Sequence, residues 1–129
     1  MSEVRTTAVW ARALAADVVL VVVFVLIGRR SHEESGAVLG LLRTAWPFLV
    51  GLGAGWLAVR AWRRPVRVWP EGVVVWLVTV ALAMVLRAVS GQGVAFSFLV
   101  VTLVVLALFL LGWRAVLPVA RRLRTRVRA

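Results

Sequence analysis

Four apolar segments divide this chain, and charged residues fall almost entirely in the gaps between them. The segments are Ala13–Gly28, Thr44–Val59, Gly72–Leu86 and Ala88–Trp113, and Asp17 is the only charge inside any of them. A soluble chain of 129 residues has no interior large enough to hide four such runs. The solvent for this surface is therefore lipid. A helix rises about 1.5 Å per residue and needs roughly 20 residues to cross a hydrocarbon core. The pattern predicts an all-α polytopic membrane protein, a compact bundle of four transmembrane helices over about residues 9–28, 44–62, 71–88 and 94–114. Residues 115–129 form an Arg-rich tail, and the whole is one membrane domain.

Two details of this layout turn on single residues. Pro47 suits a first helical turn and kinks an interior, so the second helix either starts at Thr44 or starts at residue 37 and bends; the bent version is preferred. The first apolar run has a basic leader but ends in Ile27-Gly28-Arg29-Arg30, with no small-x-small cleavage site. It is read as a retained span rather than a signal peptide.

Composition agrees: 63% of residues are hydrophobic and the net charge is +11, with mean hydropathy +0.99. The excess of arginine does not read as a nucleic-acid binder, because the charges sit between and after the apolar runs instead of on one polar face. All 16 basic residues are arginine, a bias from which no function follows. The N-terminus, middle loop and tail hold 12 of them, and the other side holds Arg29, Arg30, Arg43 and Arg87. The positive-inside rule then puts both termini in the cytoplasm of a prokaryotic cell membrane. Trp10, Trp62, Trp69 and Trp113 fall at the inner boundaries and Trp46 at the outer one, where amphipathic rings favour the headgroup layer. In the tail, Val116, Val119, Ala120, Leu123 and Val127 recur near helical spacing, which suits an interfacial helix on anionic lipid. Cysteine is absent, which removes disulfides and thiolate metal sites.

Asp17 is the costliest residue. An unpaired carboxylate at that depth costs at least about 2.5–3.5 kcal/mol on insertion scales. It must face other helices, and depth matching makes Trp56, Trp76 and Thr79 its expected neighbours. It is either a proton or cation site, or a hydrogen-bonded packing post paired to Arg12. Gly51 and Gly55 form a small-xxx-small face that lets another backbone approach, within or between protomers. A second candidate is the outer cluster of Arg29, Arg30, His32, Arg43, Arg87 and Gln92, which could hold a lipid phosphate or another anion bidentately. The same cluster also reads as a solvated loop with internal ion pairs. One histidine beside two adjacent glutamates makes a poor metal site, and no nucleophile triad is visible. No cofactor or metal is expected.

These residues, taken together and in order, resemble a known family. They are Asp17; Gly28-Arg29-Arg30-Ser31-His32; Trp46-Pro47-Phe48 with Gly51 and Gly55-Trp56; Gly72, Trp76, Thr79 and Arg87; Gly91-Gln92-Gly93 with Ser97-Phe98; and Gly112-Trp113-Arg114. The chain is similar to the small prokaryotic membrane family called domain of unknown function three-zero-five-four, over about Ala13–Arg114. The resemblance implies a four-helix membrane protein with no assigned activity. Ala83 stands where the family leads one to expect glycine, and alanine still allows close packing.

The function expected from all this is non-enzymatic: a binding or accessory bundle for a membrane-protein partner or a lipid headgroup. The alternative is a small oligomeric transporter or channel that uses Asp17. An intramembrane enzyme ranks last, for want of a catalytic pair. The expected partners are membrane lipids, with a membrane protein or further copies of the chain besides, and no nucleic acid.

Overall fold

The computed structural model describes residues 2–29 and 37–128. It is all-helical: α1 (Ser2–Arg29), α2 (Ala37–Val59), α3 (Val73–Val89), α4 (Phe96–Leu106) and α5 (Gly112–Arg128). A 3-10 turn, Ala61–Arg63, follows α2, and wide π-type turns at Val68–Gly72 and Ala107–Leu111 precede α3 and join α4 to α5. Four stretches are long and apolar enough to cross a membrane: Thr7–Gly28, Val38–Val59, Val68–Val89 and Phe96–Arg124.

Contacts between the helices fix an up-down-up-down order. Asp17 meets Trp56 while Phe24 meets Phe48, so α1 and α2 run antiparallel. Gly51 faces Thr79 and Gly55 faces Val75, so α2 and α3 do the same. Trp76 reaches Leu103 and Arg87 reaches Phe98, which sets α4 antiparallel to α3. Both ends of the chain therefore lie at one end of the bundle, called the terminal end below. The α3–α4 turn lies at the far end.

The closest packing is between α2 and α3. A Cβ placed on Gly51 would stand 2.7 Å from the Thr79 carbonyl oxygen, and one on Gly55 would stand 3.0 Å from Val75 Cα. The small-xxx-small face works within this chain, letting two backbones touch where lipid supplies no hydrophobic drive. Deeper in, Phe24 and Phe48 pack edge-on at 5.4 Å, and Phe48 and Phe98 at 6.3 Å. Val21, Leu52, Val75, Leu106 and Leu110 complete the core. The outer surface is the reverse of a soluble protein's: Val19, Leu39, Leu57, Val85, Phe96 and Leu108 are all exposed. Apolar patches on that scale mark a surface meant for lipid.

Several boundaries differ from the sequence pattern for local reasons. Helix α2 begins at Ala37 and carries Pro47 inside it, the longer of the two alternatives. Regular α-helix in α3 starts at Val73, because Trp69 is extended (φ −118°, ψ 132°). Helix α4 starts at Phe96, because Gly93 sits at φ 83° and Ala95 is extended. Arg60, in the left-handed region at φ 50°, ends α2. The largest difference is at the last span. It does not stop at Arg114 but continues helically through the uncharged stretch Ala115–Ala120 into the arginine-rich tail.

Candidate functional site

Asp17 lies at the centre of the terminal half of the bundle and is completely buried. Arg114, also buried, meets it as a two-pronged fork: Nη1 donates to Oδ1 at 2.8 Å and Nη2 to Oδ2 at 2.7 Å. Two indoles complete the shell, Trp113 Nε1 donating to Oδ1 and Trp56 Nε1 to Oδ2, each at 2.8 Å. Each carboxylate oxygen thus accepts two hydrogen bonds. Arg114 is held in turn by backbone: Nε donates to the Pro65 carbonyl at 2.9 Å and Nη1 to the Leu110 carbonyl at 2.8 Å. Its guanidinium also lies 4.7 Å from the centre of the Trp113 ring. Paired, forked and hydrogen-bonded charges are what a low-dielectric interior tolerates.

Local structure explains how adjacent residues reach one carboxylate. Neighbours on an α-helix point about 100° apart, and Trp113 and Arg114 follow the wide turn Ala107–Leu111 after Gly112 alone. A π-type turn inserts an extra residue into the helical register, a device common at functional sites. Gly72 makes room for the arginine stem, since a Cβ there would stand 3.0 Å from Arg114 Cδ. The site therefore draws on α1, α2, the turn before α3, and α5.

Of the three neighbours expected for Asp17, only Trp56 donates to it. Trp76 donates instead to the Leu103 carbonyl at 3.0 Å, and Thr79 to the Val75 carbonyl at 2.6 Å. Arg12, offered as a partner from one turn away, is exposed; the partner is Arg114. Arg114, read from sequence as an anchoring charge, is buried, and Trp113, read as a boundary ring, is half-buried with its indole N–H on Asp17. Elsewhere, Glu71 is buried with its Oε2 3.9 Å from Arg67 Nε. That oxygen and the buried Thr102 hydroxyl are, among the described residues, the buried side-chain polar atoms without a hydrogen bond.

At the far end, Arg87, Gln92 and Arg43 come together, through two backbone carbonyls and one bond between side chains. Arg87 donates to the Gly93 carbonyl at 3.3 Å and to Gln92 Oε1 at 3.2 Å, while Gln92 Nε2 donates to the Arg43 carbonyl at 3.0 Å. The Arg87 guanidinium lies 4.5 Å from the centre of the Phe98 ring. This network ties the α3–α4 turn to α2. Arg30 and His32 lie outside the described residues, as does the Arg29 side chain. Arg87→Leu is expected to cost about 1–2 kcal/mol, the sum of weak hydrogen bonds and a ring contact. Unfolding in detergent micelles measures it, and unchanged stability would return Arg87 to the role of a free anion ligand.

No curated protein and no solved structure matches the chain. A family model does, over residues 14–117, and its description is a protein of unknown function, DUF3054. That match reaches all four membrane-length stretches and covers the whole Asp17–Arg114 centre, so the chain belongs to the DUF3054 family of proteins of unknown function.

Proposed function

We propose that this protein is a non-enzymatic binding or accessory bundle of a prokaryotic cell membrane, with both termini in the cytoplasm. It holds a lipid headgroup or a membrane-protein partner rather than moving protons or ions. The observation that carries this reading is the saturation of Asp17, whose two oxygens accept from Arg114, Trp56 and Trp113. A carboxylate that carries a proton across a membrane must release its donors and bind the proton in turn. Here release of the forked pair would strand a buried guanidinium. The charge centre serves to lock α1, α2 and α5 into a rigid body whose working surfaces are its two ends.

Arginine placement supports the orientation. With Arg114 counted as interior, 11 arginines remain on the terminal side against 4 on the other, and the positive-inside preference is unchanged. The test is flux. Purified protein in proteoliposomes is expected to show no proton uptake above empty vesicles under an imposed potential, as read by an internal pH dye. Proton entry that disappears in Asp17→Asn, in protein that still folds, would replace this reading with the transporter.

A further inference from the structure

Near the terminal end, an open groove of about 490 Å³ runs between α1 and α2, lined by Trp10, Leu14, Gly53, Trp56, Leu57 and Trp62. Its volume falls in the ~300–1,000 Å³ range of small-molecule sites. The lining carries no charged side chain and is dominated by three tryptophans. We propose that this groove seats one acyl chain of an anionic phospholipid, whose phosphate is held by the arginines at its mouth. The inference rests on the binding reading above and names its ligand class.

Position and charge select that occupant. Trp10 and Leu14 lie in the first turns of the span Thr7–Gly28, and Gly53 and Leu57 in the last turns of Val38–Val59. The groove thus occupies the depth where acyl chains meet headgroups. Arg60, Arg63 and Arg64 flank Trp62, which lines the groove from the turn after α2. All three side chains are exposed, and neither the Arg67–Glu71 pair nor the Asp17–Arg114 pair uses them. A ring of tryptophans alone would also suit a quaternary ammonium group, as in aromatic cages. Two facts decide against a cation here. The nearest buried carboxylate, Asp17, is already neutralised by Arg114, and the groove's mouth is positive. Guanidinium groups match phosphate oxygens in pairs, which gives the headgroup a specific seat and not only a diffuse attraction.

Gly53 offers a clean way to close the groove. A Cβ there meets nothing within 4 Å, so Gly53→Leu fills the space without pushing on backbone. Trp56 is left intact, because its indole belongs to the Asp17 centre. The experiment is native mass spectrometry of the full chain in detergent, titrated with phosphatidylglycerol or phosphatidylcholine of equal chain length. Wild-type protein is expected to retain one phosphatidylglycerol in strong preference to phosphatidylcholine. Arg63→Gln/Arg64→Gln should reduce that preference roughly thirty-fold, about five-fold per charge near a lipid surface. Gly53→Leu should abolish retention of either lipid, with its thermal unfolding checked against wild type.

Equal retention of both lipids, preference for the choline lipid, or full retention by Gly53→Leu of wild-type stability would each overturn the site. If Gly53→Leu does not fold, the arginine pair decides alone, since both lie on an exposed turn. Proton flux together with phosphatidylglycerol retention would remove the accessory reading and leave the lipid site standing. An inert protein that retains no lipid would remove this inference only.

Discussion

Arg114→Gln is expected to destabilise the protein by about 3–5 kcal/mol, the usual cost of removing one partner from a buried ion pair. Asp17 would keep its two indole donors but lose both forked bonds, at a fully buried position. Against a total stability of roughly 5–15 kcal/mol, that is a large fraction of the whole. Asp17→Asn should cost a similar amount, because it strands the guanidinium instead. The informative variant is the double one, Asp17→Asn/Arg114→Gln. Its two replacement amides are neutral and can still exchange hydrogen bonds with each other and with the indoles, so it should recover much of the loss. The two single effects should then exceed the double by more than about 2 kcal/mol, the strongly coupled behaviour of residues in contact. Reversible unfolding in micelles, followed by tryptophan fluorescence, measures all three. Single variants as stable as wild type, or losses that merely add, would show that the pair does not hold the bundle together.

That pair also marks how far the sequence could be read. The fold was legible because each span is an apolar run, broken by charge only at Asp17, and bounded by arginine or a turn. Asp17 was legible as a problem, since a charge within such a run has to find a partner. Trp56 was found by matching its depth to Asp17 and belongs to the shell, whereas Trp76 and Thr79, found the same way, spend their donors on backbone carbonyls. Depth alone does not say which way a side chain turns. Arg114 was missed because it ends one apolar run and precedes an arginine-rich tail, where an arginine reads as an anchor. A signal was present: residues Ala115–Ala120 are uncharged. They continue the span past Arg114 and bring it to the depth of Asp17. The wide turn Ala107–Leu111 and the opening at Gly72 had no such signal, because both arise only when helices pack. The far-end cluster shows another limit. Arg87 and Gln92 share a side of the membrane with Arg43, yet they close a turn through carbonyl oxygens that no charge pattern reveals.

Gly51 should be the hardest to replace of the glycines on α2 that face α3. Its added Cβ would meet the Thr79 carbonyl oxygen at 2.7 Å, Cα at 3.1 Å and carbonyl carbon at 3.3 Å. All three are backbone atoms of the facing helix, so nothing flexible can move aside. Gly51→Ala gains up to about 1 kcal/mol of helix propensity and is still expected to lose about 1–2 kcal/mol net, because overpacking typically costs about 1–3 kcal/mol and can exceed it. Gly51→Leu should prevent accumulation of folded protein. Gly53→Ala supplies the control, with the same propensity gain and nothing within 4 Å; it should be neutral or slightly stabilising. The consequence should reach the charge centre as well. Trp56 follows Gly51 by five residues on α2 and donates to Asp17, so pushing α2 away from α3 shifts one of the four donors that hold the carboxylate. Gly51→Ala should therefore perturb the near-ultraviolet tryptophan signal while Gly53→Ala does not. If the two alanine variants unfold at the same temperature, α2 and α3 do not meet backbone to backbone. The small-residue face must then serve contacts between copies of the chain, as the other half of the sequence expectation held.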